Sequence, residues 1–255
     1  MTFAGVPRLL ISVRSPDEAR IAATAGVDLI DIKEPRRGSL GFAGGEVIGA
    51  IGDVLDCCAD DHPPLSAALG ELADWSRDSI VPRIPENVAF AKIGLSGCGG
   101  DSDWTEQWTS IRNRFDESAN RRLNWIAVHY VDRNANSPPW PEILTAARRT
   151  GCAGVLLDTF DKARGGLFEH ISEDALTASR EATRDADLLL AVAGGLRPED
   201  IPRLRSFAPD IIAARGAVCR GGERGEGIDA VRVRELQSTL RGGCVDACLA
   251  GKYPL

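Results

Sequence analysis

Four lysines in a chain whose basic residues are otherwise all arginine are the groups best suited to do chemistry. The 255 residues include 30 Lys plus Arg, and the lysines are Lys33, Lys92, Lys162 and Lys252. Arginine replaces lysine wherever a solvated positive charge is enough, but it keeps its proton and cannot serve as a neutral amine. Lys252 lies in the C-terminal tail, whereas the other three follow apolar runs, DLIDIK, NVAFAK and GVLLDTFDK. A neutral amine beside a carboxylate can attack a carbonyl and then exchange protons with its neighbours, which is imine chemistry. Asp31 stands two residues before Lys33, so on a strand both side chains point to one face. Asp158 likewise precedes Lys162 by four residues. Nearby ammonium groups and partial burial lower the pKa of an amine, while a carboxylate raises it. A structural ion-pair network is the competing reading, but clustered lysines are a costly way to gain stability.

Those residues need a frame that brings strand ends together, and the period of the sequence supplies one. Short aliphatic runs alternate with longer amphipathic stretches. Strands are predicted at Leu9–Val13, Leu29–Lys33, Leu65–Gly70, Val88–Ile93, Trp125–Tyr130, Val155–Asp158, Leu188–Val192 and Ile211–Ala214. Ser15-Pro16-Asp17-Glu18, Ser172-Glu173-Asp174 and Arg197-Pro198-Glu199-Asp200 have the cap, proline and acidic first turn of helix starts. Gly26 and Gly151 suit helix C-termini that lead into the next strand. Eight strand–helix units in one chain of this length predict an α/β fold, a single (β/α)8 TIM barrel over residues 1–243, followed by a tail over 244–255. The third unit is the weakest, because 75–86 contains Pro82 and Pro85. An open doubly wound sheet would carry a glycine-rich turn after its first strand, and Val13-Arg14-Ser15-Pro16 is no such turn.

In a TIM barrel the active site forms where the strands end. Asp31, Lys33, Lys92, Asp158 and Lys162 are therefore predicted to converge as the catalytic group. Gly70-Glu71 and His129-Tyr130-Val131-Asp132 end two further strands, without an assigned role. After strands seven and eight come Ala193-Gly194-Gly195-Leu196 and Ala214-Arg215-Gly216-Ala217. Gly194, Gly195, Arg215 and Gly216 are predicted to bind a phosphate, since glycines let backbone N–H groups approach an anion. His62 and His170 read as solvated loop residues, and His129 reads equally well as structural or site-lining.

Composition narrows the partners. A net charge of -7 leaves no clustered basic face for nucleic acid. No apolar run reaches the roughly 18 residues of a membrane span, so a cytoplasmic chain is expected. Cys57, Cys58, Cys98, Cys152, Cys219, Cys244 and Cys248 show neither disulfide nor zinc spacing, and neither metal nor cofactor is expected. A small phosphorylated aldehyde is the expected partner, and a homo-oligomer the expected assembly.

The stretches LLISVRSPDEA, AGVDLIDIKEPRRGSLG, FAKIGL, LLDTFDKARGGLFEH and DIIAARGAVCRGG resemble the (5-formylfuran-3-yl)methyl phosphate synthase family, from the first strand to about residue 225. The most specific pieces are DIKEP…GSLG and the DTFDK segment. The resemblance implies a TIM-barrel lyase of methanofuran biosynthesis, or of a bacterial analogue. It implies the joining of two glyceraldehyde 3-phosphate molecules with loss of phosphate and water. By the same resemblance Lys33 is the Schiff-base lysine and Lys92 the proton acceptor, while Asp31, Asp158 and Lys162 match the remaining charged groups. Gly195 departs from the serine expected there, removing a hydroxyl contact to phosphate. A Schiff-base aldolase or thiazole-synthase-like barrel acting on another small phosphorylated aldehyde shares these features. A barrel that merely binds a sugar phosphate would have no need of the lysines.

Overall fold

Eight apolar runs that must be covered on both faces form eight parallel strands, which close into a barrel with side chains packing its interior and helices covering its outside. The computed structural model describes residues 5–57 and 62–242. Its strands are β1 (Arg8–Val13), β2 (Leu29–Ile32), β3 (Leu65–Glu71), β4 (Val88–Gly94), β5 (Asn124–Tyr130), β6 (Gly154–Asp158), β7 (Leu189–Val192) and β8 (Ile211–Ala214). Each pairs with its successor, and β8 closes on β1 through Arg8–Ile211 to Ile11–Ala214. All eight predicted strands are present, with ends that move by a residue or two. Lys33 lies one residue past β2, its N–H still donating to Val13 O at 3.0 Å.

The helices are α1 (Pro16–Thr24), α2 (Gly45–Asp56), α3 (Trp104–Ala119), α4 (Trp140–Arg149), α5 (Glu173–Asp185), α6 (Asp200–Ser206) and α7 (Ala230–Arg241). The Ser15 and Ser172 hydroxyls accept from Glu18 N and Ala175 N, as their sequences predict. Gly26 and Gly151 follow the cap residues Ala25 and Thr150 with φ of 78° and 66°. Val27 N and Cys152 N return to the carbonyls of Ala22 and Ala147, the six-residue link of a Schellman ending.

The third unit departs from the expected alternation. Between β3 and β4 there is a single 3-10 turn, Leu72–Asp74, and no α-helix. Pro82 and Pro85 deny the segment helical hydrogen bonds, so α3 holds it from outside. The Ser118 hydroxyl donates to Pro82 O at 2.6 Å, and Arg121 donates to Pro85 O and Val88 O. Trp75 fills the space a helix would have covered, edge-on to Phe42 and Phe115.

Strand alternation divides the core. On β1, Leu9, Ile11 and Val13 point outward into the layer shared with the helices, while Leu10 belongs to the barrel interior with Leu29, Ile126, Leu156 and Ile211. Above this apolar floor the inward positions turn polar, and the active-site candidates begin there.

Candidate active site

The polar layer starts in register. Ser12 pairs with Asp31 across β1–β2, and Asp31 with Ser66 across β2–β3. All three side chains are buried and face inward, lining one cavity of about 350 Å³ at the carboxyl ends of the strands. That volume suits a small ligand, since binding pockets run from roughly 300 to 1,000 Å³. Lys33, Lys92, Asp158 and Lys162 line the same cavity, as do Gly194, Gly195, Arg215 and Gly216. The nine predicted positions therefore meet at one place.

Their pairing separates the three lysines. Lys92 Nζ donates to Asp31 Oδ1 and, at 2.9 Å, to Ser66 Oγ, while Ser12 Oγ donates to the other Asp31 oxygen at 3.2 Å. Lys162 Nζ donates to Asp158 Oδ1 and to Thr159 O, while Ser39 Oγ donates to Asp158 Oδ2 at 2.9 Å. Lys33 Nζ makes neither a hydrogen bond nor an ion pair among the described residues, although its side chain is buried.

Burial without a partner sets the amine's state. Desolvation pulls Lys33 from 10.5 to about 8, against the opposing pull of Asp158 and Asp31 and with help from Lys162 and Arg224. Burial also lowers Lys162, outweighing its bond to Asp158. Burial pushes Asp158 up, but Lys162, Lys33 and the Ser39 hydroxyl more than offset this and hold it below the usual carboxylate range. Among the described residues the mouth thus contains two committed ion pairs and one unpaired lysine, whose pKa is brought down to about 8.

The glycine loops lie beside this group. Gly194 and Gly195 have φ of 115° and 58°, and their backbone N–H groups find no acceptor among the described residues, nor does that of Gly216. A Cβ at Gly195 would sit 3.2 Å from Gly166 Cα. The turn is therefore shaped for glycine, and the serine that resemblance suggested has little room. The side chain of Arg215 differs from the glycines beside it, because all five N–H groups of its guanidinium are taken. They go to Glu18 Oε1 and Oε2, Ser12 O, Arg224 O and Glu226 O, at 2.8 to 3.2 Å. The Arg215 side chain builds the wall of the site and has no side-chain donor left for a ligand.

Other strand-end residues fall outside the reacting group. His129 points outward against Trp140, ring centroids 5.6 Å apart, and burial lowers its pKa. Glu71 accepts from Ser96 N, Ser96 Oγ and the Tyr130 hydroxyl. Burial lifts its carboxyl despite those bonds. Asp132 accepts from Phe160 N and Asp161 N, fixing the loop that carries Lys162. Sequence reasoning missed Ser12, Ser66, Ser39 and Arg224. A hydroxyl at an inward position of an apolar strand was a usable signal for the first two, and Ser39 lies within GSLG. Arg224 gave none.

Cys98, Cys152 and Cys219 are buried and free, and Cys57 is exposed. Cys58, Cys244, Cys248 and Lys252 lie outside the described residues, as does the tail from residue 244. Among the described residues no helix is long and apolar enough to cross a membrane, and no three His, Cys, Asp or Glu are grouped to hold a metal ion.

The sequence matches the family described as 4-HFC-P synthase over residues 9–237. It is 32% identical over 233 residues to the (5-formylfuran-3-yl)methyl phosphate synthase of Methanosarcina mazei, covering 90% of this chain and 97% of the relative. The synthase of the same name from Methanopyrus kandleri is 31% identical over 250 residues, covering 92% and 99%. Among solved structures, phosphoribosyl anthranilate isomerase from Thermus thermophilus superposes with a TM-score of 0.58 at 15% identity, covering 92% of this chain and 98% of that one. The 3-hexulose-6-phosphate synthase from Salmonella typhimurium gives 0.57 at 14% identity, covering 91% and 98%. At such identities the structures establish the barrel and nothing narrower.

Proposed function

Since the chain belongs to the 4-HFC-P synthase family, we propose that it joins two molecules of glyceraldehyde 3-phosphate into (5-formylfuran-3-yl)methyl phosphate through an imine on Lys33. Atom balance requires the release of one phosphate and two waters. The product would feed methanofuran or a bacterial analogue.

The observation that carries this reading is the isolation of Lys33 between two ion pairs, with its pKa near 8. The neutral amine adds to the aldehyde of one substrate, and loss of water gives the imine. Once protonated, the imine withdraws electrons from the adjacent carbon, whose C–H proton passes to a nearby base. Lys92 is that acceptor once its own proton has passed to Asp31, the carboxylate it donates to, with Ser66 holding it in place. The enamine carbon then attacks the second aldehyde, water hydrolyses the imine to return the amine of Lys33, and loss of phosphate and water with ring closure completes the furan. Asp158 and Lys162 supply a second charged pair in the same cavity for proton movement.

Reduction with borohydride in the presence of glyceraldehyde 3-phosphate, followed by peptide mapping, tests this. A reduced adduct is expected on Lys33. An adduct on Lys92 or Lys162 would overturn the role assignment, and no adduct at all would exclude covalent catalysis. The product should appear as a furan aldehyde absorbing in the near ultraviolet, with release of inorganic phosphate.

The pH dependence has a definite sign. Only the deprotonated amine attacks, so the initial rate of adduct formation should rise about tenfold per pH unit below the pKa and level off near pH 8. A rise that continues unchanged to pH 10 would mean that the reacting lysine has an ordinary pKa.

A further inference from the structure

Lys33 is not alone in lacking a protein partner at the mouth. Arg224 lines the same cavity half-buried, and its guanidinium makes no hydrogen bond or ion pair among the described residues. Its Nη2 is sealed from solvent with no acceptor. The carboxylate of Asp158 acts on it only at longer range and is already engaged by Lys162, Ser39 and Thr159 N. Burying a cation without a partner costs stability, and no acceptor among the described residues pairs with it here.

The chain nevertheless holds Arg224 there firmly. Its loop is closed at the base by an antiparallel bridge between Cys219 and Ile228 and turns through Gly221 and Gly222 at φ of 63° and 77°. Three successive carbonyls are then held by two arginines. Arg215 donates to Arg224 O at 2.9 Å and Glu226 O at 3.0 Å, and Arg14 donates to Gly225 O at 2.7 Å. Arg215 is itself locked to Glu18 in a buried bidentate pair. The stem of Arg224 lies against Gly216, where a Cβ would come within 3.4 Å of Arg224 Cγ. A free guanidinium is thus set beside backbone N–H groups that also lack acceptors, and such a combination complements a phosphate monoester.

We propose that Arg224 binds the phosphate of the substrate, adding side-chain charge to the backbone cradle of Gly194, Gly195 and Gly216, with Arg215 and Arg14 as positioning residues that fix its loop. This rests on the phosphorylated-aldehyde reading above.

Calorimetric titration of the full chain with inorganic phosphate provides the test, comparing wild type with Arg224→Gln and Arg224→Lys. Losing a charge-assisted contact should weaken phosphate binding about tenfold or more in Arg224→Gln, with Arg224→Lys in between. KM for glyceraldehyde 3-phosphate should rise by a similar factor, with a smaller change in kcat. Borohydride labelling of Lys33 with unphosphorylated glyceraldehyde, at pH 9 where the amine is mostly neutral, should fall far less than phosphate binding does, since Arg224 acts on Lys33 only through its charge. Equal phosphate affinity in all three proteins overturns the proposal, as does a wild type that binds no phosphate. An equal loss of labelling with glyceraldehyde does so too. If Arg224→Gln fails to fold, wild-type phosphate affinity in Arg224→Lys is the overturning result. Absence of Lys33 labelling in the wild type would count against the imine and leave the phosphate titration standing, so the two failures are distinguishable.

Discussion

Arginine in place of Lys33 is expected to leave a folded chain with essentially no turnover and no borohydride adduct. The substitution keeps positive charge at the mouth and removes the only property arginine lacks, an amine that can become neutral and form a carbon–nitrogen bond. Thermal unfolding near the wild-type midpoint, together with loss of product, would support the assignment. Measurable furan formation by Lys33→Arg would refute it. Lys33→Met adds a second, opposite readout. Because the folded state holds Lys33 near 8 instead of 10.5, it binds fewer protons than the unfolded chain between those values. Wild-type stability should therefore rise with pH across that window, and below pH 8 the fold carries the full cost of the buried charge, about 3 kcal/mol. Methionine removes that cost, so Lys33→Met should be inactive and yet more stable at pH 7 by up to about 3 kcal/mol. The gain should fade as the pH approaches 10.5. Denaturant unfolding at pH 7 and pH 10 measures it, and a variant less stable than wild type at pH 7 would show that Lys33 has a structural partner after all. A residue whose removal stabilises the fold and abolishes the reaction is retained for chemistry.

The barrel was legible because its cause is local. Each strand is a short, predominantly apolar run, and Ser15, Ser172, Gly26 and Gly151 act within a turn of their own positions. The lysines were legible for a different reason: arginine elsewhere made every remaining amine conspicuous. The helix missing after β3 follows from Pro82 and Pro85, visible in sequence, whereas the grip of Arg121 and Ser118 on that segment joins positions more than 30 residues apart. Partner choice was the part that sequence could not give. Arg215 and Arg224 are nine residues apart in one glycine-rich stretch, and nothing in their types tells which is saturated and which is free. The answer depends on Glu18, which returns to β8 only when the barrel closes between β1 and β8. The same holds for Lys33 against Lys92 and Lys162. Each follows an apolar run, yet two reach a carboxylate and one does not, which is a matter of side-chain reach across the mouth.

That closure makes Glu18 a position at which a single change should cost much stability. Its carboxylate accepts two N–H groups from Arg215 and the backbone N–H of Arg14, with side chains only 8% and 2% exposed for Glu18 and Arg215. Glu18→Ala leaves a buried guanidinium with two N–H groups unsatisfied and no charge to balance it. Breaking a buried pair from one side costs about 3–5 kcal/mol. In a chain of this size each kcal/mol lowers Tm by about 2–4 °C, so a fall on the order of 10 °C is expected. The exposed pair of Arg203 and Glu173, at 48% and 55%, provides the contrast. Solvent screens it, and Glu173→Gln should change stability by less than about 1 kcal/mol. Because Arg215 also holds the Arg224 and Glu226 carbonyls, Glu18→Ala should weaken inorganic phosphate binding even at temperatures where the barrel is fully folded. Scanning calorimetry and phosphate titration on the same sample separate the two effects. A Tm within 2 °C of wild type would mean that Arg215 finds another partner and that the clamp between α1 and the loop after β8 does not depend on this pair.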